Sequence, residues 1–394
     1  PAGGGGAPAR WPPRIFVLAP PESGFHRCID RGIHYVLELW IVELVLRRMR
    51  RELFVDDPAQ ADFVLAAQCF SHEFLELLQR CRRLAPPPVA RRCLAEGTAL
   101  LDLRVRRWAH ALVRGPLHRR RNGTDFLVLT SAEDGRLALP AFGHPALRRW
   151  AFLTPNGPAA WLRAHAPEAS GAFCPWPSYP ASPWDVVVPF PSLLPGNETL
   201  RGGDEGEGGR EEDGQEDVDR PRPRLAFFAG HGDSCVRRRL LQHFSCDLAG
   251  AGVAVCPSLL PAQYARALRE ATFCLVPDGR SSPWNTRLVE AVGAGCVPVI
   301  VSDDLHPPFH RTVDWASLAV LVRSAQIPRL EALLRGLPPA EVARRRRGLR
   351  ELRAVLDPRE PGYWRLLLEE LRQGAEARRR PGAREAPGAP AAVA

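Results

Sequence analysis

Residues 273–309, FCLVPDGRSSPWNTRLVEAVGAGCVPVIVSDDLHPPF, constrain the fold of this chain more than any other stretch. Phe273 to Val276 is a short apolar run closed by Pro277, the pattern of a buried strand. Asp278 to Pro283 is loop chemistry, rich in Gly, Ser and Asp. Asn285 to Ala294 sets Leu288, Val289 and Val292 on one helical face. Ser282 fits the N-cap, Pro283 the first turn and Gly295 the C-cap. Val297 to Val301 is a second β-branched run. Strand, loop, helix and strand in so short a span predict a parallel βαβ unit.

That unit carries a chemical implication. Open α/β sheets bind ligands beyond the carboxyl ends of their strands. There a loop feeds a helix N-terminus, whose N–H groups and dipole favour an anion. Arg287 falls in the first turn and Glu290 three residues on, nearly the same face. A guanidinium suits a diphosphate, and a carboxylate one turn deeper suits the vicinal hydroxyls of a ribose. A surface Arg–Glu pair on an ordinary helix would show the same two residues, so the unit alone leaves both readings open.

A similar pattern stands earlier. Leu225 to Ala229 reads as a strand and Gly230-His231-Gly232 as a Gly loop. Asp233 or Ser234 can cap a helix running to about Phe244. Glycine lets backbone approach phosphate oxygens, and Arg237 or Arg238 adds charge one turn in.

Here the residues resemble a known family. Phe273 to Pro277, Ser282-Pro283, Arg287 to Ala291, Ala294 to Ile300, Ser302-Asp303, Pro308-Phe309 and Asp314-Trp315 resemble, in order, the donor-binding signature of exostosin-type glycosyltransferases of family 47. Phe227 to Gly230 with Arg237 or Arg238 is similar to that family's other donor-side motif. Asn285 and the spacing from Pro283 to Arg287 are closer to its plant and algal branch. The resemblance implies a GT-B fold: α/β, two Rossmann-like domains facing a cleft. It also implies an inverting glycosyltransferase that moves sugar from a UDP-sugar to a cell-wall or matrix polysaccharide, without metal or other cofactor. Gly230, Arg237, Ser282, Asn285, Arg287 and Glu290 are its expected UDP-sugar contacts. A general base is expected on N-terminal loops, with His26, Asp30 and His34 as candidates and Glu22 behind them. The Asp303-Asp304-Leu305-His306 loop is a further candidate region, though capping and turn formation would explain it equally.

The order of the chain supports two halves. Residues 1–13 read as a disordered stalk and 14–195 as an N-terminal Rossmann-like acceptor domain. Residues 196–223 read as an acidic Gly-rich linker, 224–372 as the donor domain and 373–394 as a disordered tail. Arg14 to Leu18, Phe63 to Leu65, Phe126 to Thr130 and Asp185 to Pro189 are strand-like; Tyr35 to Arg50, with Tyr35 and Glu38 similar to the family's Tyr-x-x-Glu, is helical. In the second half, helices are expected over Tyr264 to Arg269, Leu330 to Leu334, Ala340 to Leu356 and Tyr363 to Leu371. Two departures from the family stand out: Asp125-Phe126 lacks the His of its Asp-His-Phe motif, and Ala66-Ala67-Gln68 replaces the usual Pro. They support a rival reading, a non-catalytic subunit that stabilises or targets an active partner; Arg287 and Glu290 oppose it.

Charge and cysteines add bounds. The net charge is +9 and every basic residue is Arg, none Lys. That fits an anionic donor or polyanionic acceptor, but a single Met and many Ala, Arg, Pro and Gly suggest a GC-rich coding sequence, in which drift alone could give much of the charge. No base-stacking aromatics interleave the basic runs, so nucleic acid is not expected as a partner. Arg344 to Arg347 reads as a solvated helix face. The ten cysteines show no CxxC pair, so zinc is not expected; Cys274 and Cys296 read as small core residues, while the even count permits disulfides. Asp217-Val218-Asp219 lies in a solvated acidic run, and no metal site is expected there. Sequons at Asn122 and Asn197 are candidates for glycosylation. No apolar run is long enough to span a bilayer. The resemblance implies a Golgi membrane protein with a lumenal catalytic domain, its type II anchor missing from or upstream of this sequence, and admits a homo- or hetero-oligomer with another glycosyltransferase.

Overall fold

The computed structural model describes residues 14–20, 54–130, 139–154, 174, 185–189, 222–279, 283, 286–353, 355–356 and 361–379. The chain divides into two compact units. Unit 1 comprises Pro1–Thr154, Pro180–Val186 and Leu367–Ala394; unit 2 comprises Pro155–Tyr179 and Val187–Leu366.

Unit 1 is built on a sheet of β1 (Ile15–Leu18), β2 (Phe63–Ala66), β3 (Phe126–Leu129), β4 (Ala151–Thr154) and β5 (Val186–Val187), in that spatial order. The pairings β1/β2, β2/β3 and β3/β4 are parallel. β3 and β4 are buried along their whole length, which is why they read as unbroken apolar runs. Between β2 and β3 lie α1 (Phe70–Arg82), α2 (Pro87–Arg114) and α3 (Pro116–Arg121). α2 buries Leu101, Val105, Trp108 and Leu112, spaced four, three and four apart, as one helical stripe. Trp108 meets Phe70 edge-on at 5.5 Å and Trp150 at 5.7 Å, and Trp150 meets Phe126 at 4.8 Å. These rings tie helix to sheet.

Unit 2 holds β6 (Arg224–Ala229), α4 (Cys235–His243), β7 (Val253–Cys256), α5 (Pro261–Glu270), β8 (Ala271–Pro277), α6 (Arg287–Gly293) and β9 (Val297–Val301). After them come α7 (Trp315–Leu318), β10 (Val320–Val322), α8 (Leu330–Arg335) and α9 (Pro339–Arg353). The final helix α10, Pro361–Arg379, spans the division of the chain. The sheet order is β10-β9-β8-β6-β7, with every pairing parallel. The chain starts at β6, steps to β7 on one side, then returns across to β8 on the other. That reversal is a topological switch point, the crevice where doubly wound sheets take their ligands. Unit 1 shows no such reversal among its described strands.

The expected fold class, α/β with two Rossmann-like parallel sheets, is what the structure shows. Several local expectations differ. α6 begins at Arg287, with Thr286 in the N-cap position and making no side-chain cap, so Pro283 lies ahead of the helix rather than in its first turn. Gly295, at φ 68°, takes the left-handed conformation expected of a residue past the helix end. Cys274 and Cys296 are not free core residues but a disulfide. Cys81–Cys93, Cys174–Cys235 and Cys246–Cys256 are further disulfides, and Cys69 is also disulfide-bonded. The arginine run of α9 is not uniformly solvated. Arg345 donates to the carbonyls of Ala316 and Ala319 at 3.1 and 2.6 Å, and Arg346, 8% exposed, reaches that of Gly295. Those carbonyls near element ends need donors, and long guanidinium stems supply them. α10 also continues through Gln373 to Arg379, helped by the pairing of Glu369 with Arg372 and Gln373 one turn on. The acidic linker up to residue 221 and the helix expected over Tyr35 to Arg50 lie outside the described residues.

Candidate functional site

The two loops that look ligand-binding in sequence flank the switch point. β6 delivers Gly230 and Gly232, and β8 delivers Asp278, which is fully buried. Ser234 joins them. Its Oγ accepts the Arg237 N–H at 3.3 Å, capping α4, and donates to the Asp278 carbonyl at 3.2 Å. Of the two caps left open by the sequence, Ser234 is the one used. Gly230 sits where a Cβ would approach the Phe228 ring to 2.9 Å, so the close turn there requires glycine.

Arg237 projects from the first turn of α4. It pairs with Asp233 at 3.0 Å and lies over the Phe228 ring at 5.7 Å. Its buried Nε has no hydrogen-bond partner among the described residues. Burial lowers its pKa; Asp233 opposes that, and the positive charge of Arg287 adds to it. The structure therefore brings Arg237 and Arg287 into electrostatic reach across the switch point, from helices that follow different strands. Arg238 turns to the Gly232 carbonyl at 3.5 Å and is exposed.

Arg287 rests on a cluster that the sequence pattern does not reveal. Its Nη1 donates to Glu290 Oε2 at 2.5 Å, and its guanidinium stacks 4.7 Å from the centre of the Tyr264 ring. Tyr264, from α5, donates its hydroxyl to the same Oε2 at 2.5 Å, and Thr286 Oγ1 donates to Oε1 at 3.0 Å. Glu290 is only 2% exposed. Burial works against the charge on Arg287, yet Tyr264 and Glu290 hold its pKa above the ordinary value. Burial, then the Glu290 charge, pushes the Tyr264 hydroxyl well above the usual range, so it stays a donor. Glu290 thus fixes a cation beside the loops. A guanidinium has five N–H donors, so an ion pair through Nη1 does not exhaust it. The only advance signal of Tyr264 is an aromatic inside a short amphipathic helix just before β8.

The remaining candidates separate. Ser282, Asn285, His26, Asp30, His34, Glu22 and Asn197 lie outside the described residues, as does Asp217 to Asp219. Asn122 is exposed, at the left-handed turn that ends α3. In the loop after β9, Asp303 has no exposure and accepts from Arg323 Nε at 2.9 Å, the N–H groups of Ser324 and Cys174 at 3.1 and 3.0 Å, and the Ser324 hydroxyl. Burial alone would raise its pKa, but these donors lower it on balance. Such a carboxylate is a structural tie, and Ser302 Oγ forms the turn that follows it. His306 lies 2.7 Å from His310 ring to ring nitrogen, a pairing invisible in the sequence. Asp125, where the family motif lacks its His, is buried and ion-paired with Arg120 at 2.7 Å.

Fold and site together define an α/β protein with two anchored guanidinium groups at the switch point of its second sheet. The Exostosin GT47 domain family model matches residues 13–337, and the chain belongs to that family. Among curated proteins, a "Probable glucuronosyltransferase" of Oryza sativa subsp. japonica is 44% identical over 87 residues, 22% of this chain and 20% of its own length. The "Probable beta-1,4-xylosyltransferase IRX10L" of Arabidopsis thaliana is 36% identical over 107 residues, 26% of either chain. These matches span about a quarter or less of those relatives, and they agree with the expected plant branch. Among solved structures, the glycosyltransferase SnogD of Streptomyces nogalater gives a TM-score of 0.28 at 13% identity, covering 90% of this chain and 99% of that one.

Proposed function

We propose that the chain is an inverting glycosyltransferase that transfers a sugar from a UDP-sugar to a polysaccharide acceptor of the cell wall or matrix. The observation that carries this reading is the convergence of Arg237 and Arg287 at the switch point, each anchored by a carboxylate of its own. Inversion is a single in-line displacement: an acceptor hydroxyl attacks the anomeric carbon and the bond to UDP breaks on the opposite face. The departing diphosphate carries the developing negative charge, and two preorganised guanidinium groups offset it. No metal is needed for that step. Glu290 serves first to hold Arg287, and its Oε1 is the group that would meet a ribose hydroxyl. The base that takes the acceptor proton is assigned to the N-terminal half, with His26, Asp30 and His34 as candidates.

The family and the two named transferases support the reading. The disulfides among the described cysteines favour an oxidising compartment, and the Golgi lumen is proposed on that ground. No helix among the described residues is long and apolar enough to cross a membrane. One observation favours the second reading, a non-catalytic subunit: where the family motif lacks its His, Asp125 is buried and ion-paired with Arg120.

Calorimetry with UDP in the absence of divalent metal tests the proposal on the wild type, Arg287→Ala and Arg237→Ala. Saturable binding that weakens at least tenfold in each variant is expected, about the 1.4 kcal/mol or more of one charge-assisted hydrogen bond. A well-folded wild type that binds no UDP would sink the donor site and move the non-catalytic subunit to first place.

A further inference from the structure

The C-terminal half of α2 carries a second cationic feature, remote in sequence from the donor loops and contained in unit 1. Arg106, Arg107, His110 and Arg114 of α2 and His144 of the segment between β3 and β4 line a cavity of about 510 Å³. That volume lies within the range of ligand pockets. The spacing of Arg107, His110 and Arg114 puts them on one helical face. Arg106 pairs with Asp102 at 2.8 Å. Arg107, His110 and Arg114 are exposed and have no hydrogen-bond or ion-pair partner among the described residues. From Leu103 to Thr124 the sequence holds no acidic residue. The helix dipole accounts for a cation in the last turn, such as Arg114, but not for the others.

His144 adds direction. Its Nδ1 accepts the Ala146 N–H at 3.2 Å. Nε2 of the same ring therefore carries a proton and is a donor. Val113 and Ala146 give the cavity an apolar wall. Guanidinium and imidazole donors around a shallow apolar wall suit a saccharide bearing carboxylates: the cations take the acid groups and the wall takes the ring faces. Single-stranded nucleic acid would require aromatic platforms for its bases, and the lining has none.

We propose that this cavity is a binding site for an anionic saccharide, a glycan segment carrying uronate carboxylates. Its place as an acceptor subsite rests on the transferase reading; the binding itself does not. Calorimetry of the full chain with an oligogalacturonate and with an uncharged xylo-oligosaccharide of equal length tests it, alongside the double variant Arg107→Gln/Arg114→Gln. The anionic oligomer is expected to bind in preference to the neutral one, more weakly as salt rises. The double variant should bind it about tenfold less tightly, because two exposed guanidinium groups no longer face its carboxylates, with unchanged UDP affinity and melting temperature. Equal binding of the two oligomers, binding of neither, an unaffected double variant, or tighter binding of an oligonucleotide of equal charge would overturn the proposal. UDP titration of the same samples reports separately on the transferase reading.

Discussion

Tyr264 donates its hydroxyl to Glu290 over 2.5 Å while its ring lies 4.7 Å from the Arg287 guanidinium. One residue thereby braces both members of the ion pair. Tyr264→Phe keeps the ring and removes only the hydroxyl. It should cost about 1–3 kcal/mol, as for a hydrogen bond removed from a buried charged acceptor. UDP affinity should fall, but less than in Arg287→Ala, because the cation remains on its ring. Denaturant unfolding and calorimetry read the two effects. A variant as stable as wild type would show that Glu290 is fixed without Tyr264.

The same residue predicts a pH dependence. Its folded pKa is raised, so below about pH 10 both folded and unfolded chains keep the proton and nothing changes. As pH climbs past the unfolded value, the unfolded chain ionises first and stability is lost. Wild type should therefore lose more stability than Tyr264→Phe between about pH 9 and 11, the span around the ordinary tyrosine value. Melting temperature measures the difference, and parallel curves would contradict the assignment.

Asp303 gives the opposite sign. Its folded pKa is depressed, so its contribution is present above the ordinary carboxylate range near about pH 4 and is lost as pH falls through the folded value. Asp303→Ala leaves the Arg323 guanidinium and the N–H groups of Ser324 and Cys174 without their acceptor. A cost of about 3–5 kcal/mol follows from breaking one side of a buried pair. The acid-unfolding curve of the variant should be flatter than that of wild type. If Asp303 were instead a catalytic base, the variant would remain stable and lose only turnover.

Unit 2 is more legible in sequence than unit 1, for physical reasons. The β-branched run of β9 marks its bounds, because a central parallel strand is apolar on both faces. Ser234, Arg287 and Gly295 are legible because caps and first turns are local chemistry. Tyr264 is not, since its meaning lies in a carboxylate 26 positions away. α1 and α2 escape a reading by pattern although the stripe of Leu101, Val105, Trp108 and Leu112 follows helical spacing; Pro86 to Pro88 and a dense arginine content mask it. The Cys274–Cys296 bridge is hidden because a cysteine within one buried strand and another beside the next look the same whether bonded or merely packed.

Gly123 supplies a stability prediction in unit 1. It holds φ +74°, and a Cβ there would collide with His118 Nε2 and stand 2.7 Å from Trp150 Nε1. Both rings are buried against the Phe126 strand, so neither can swing aside. Gly123→Ala combines left-handed strain with a clash in the core and should cost more than about 1 kcal/mol. Gly143→Ala meets no heavy atom within 4 Å and serves as the control. Similar melting temperatures for the two variants would count against this packing.

The Cys274–Cys296 bridge joins β8 to the entry of β9 and closes the loop that carries Arg287, Glu290 and α6. Replacing both cysteines by serine opens a loop of sequence separation 22. A decrease of about 2–4 kcal/mol is expected from the freed unfolded chain. The donor site itself should survive, because Tyr264 approaches Glu290 from α5, outside the closed loop, and α6 still packs against both strands, which stay paired with each other. The double serine variant is therefore expected to melt earlier yet bind UDP with near wild-type affinity well below its melting temperature. Loss of UDP binding in a sample still folded would show instead that the bridge, rather than the hydrogen bond from Tyr264 to Glu290, sets the position of Arg287.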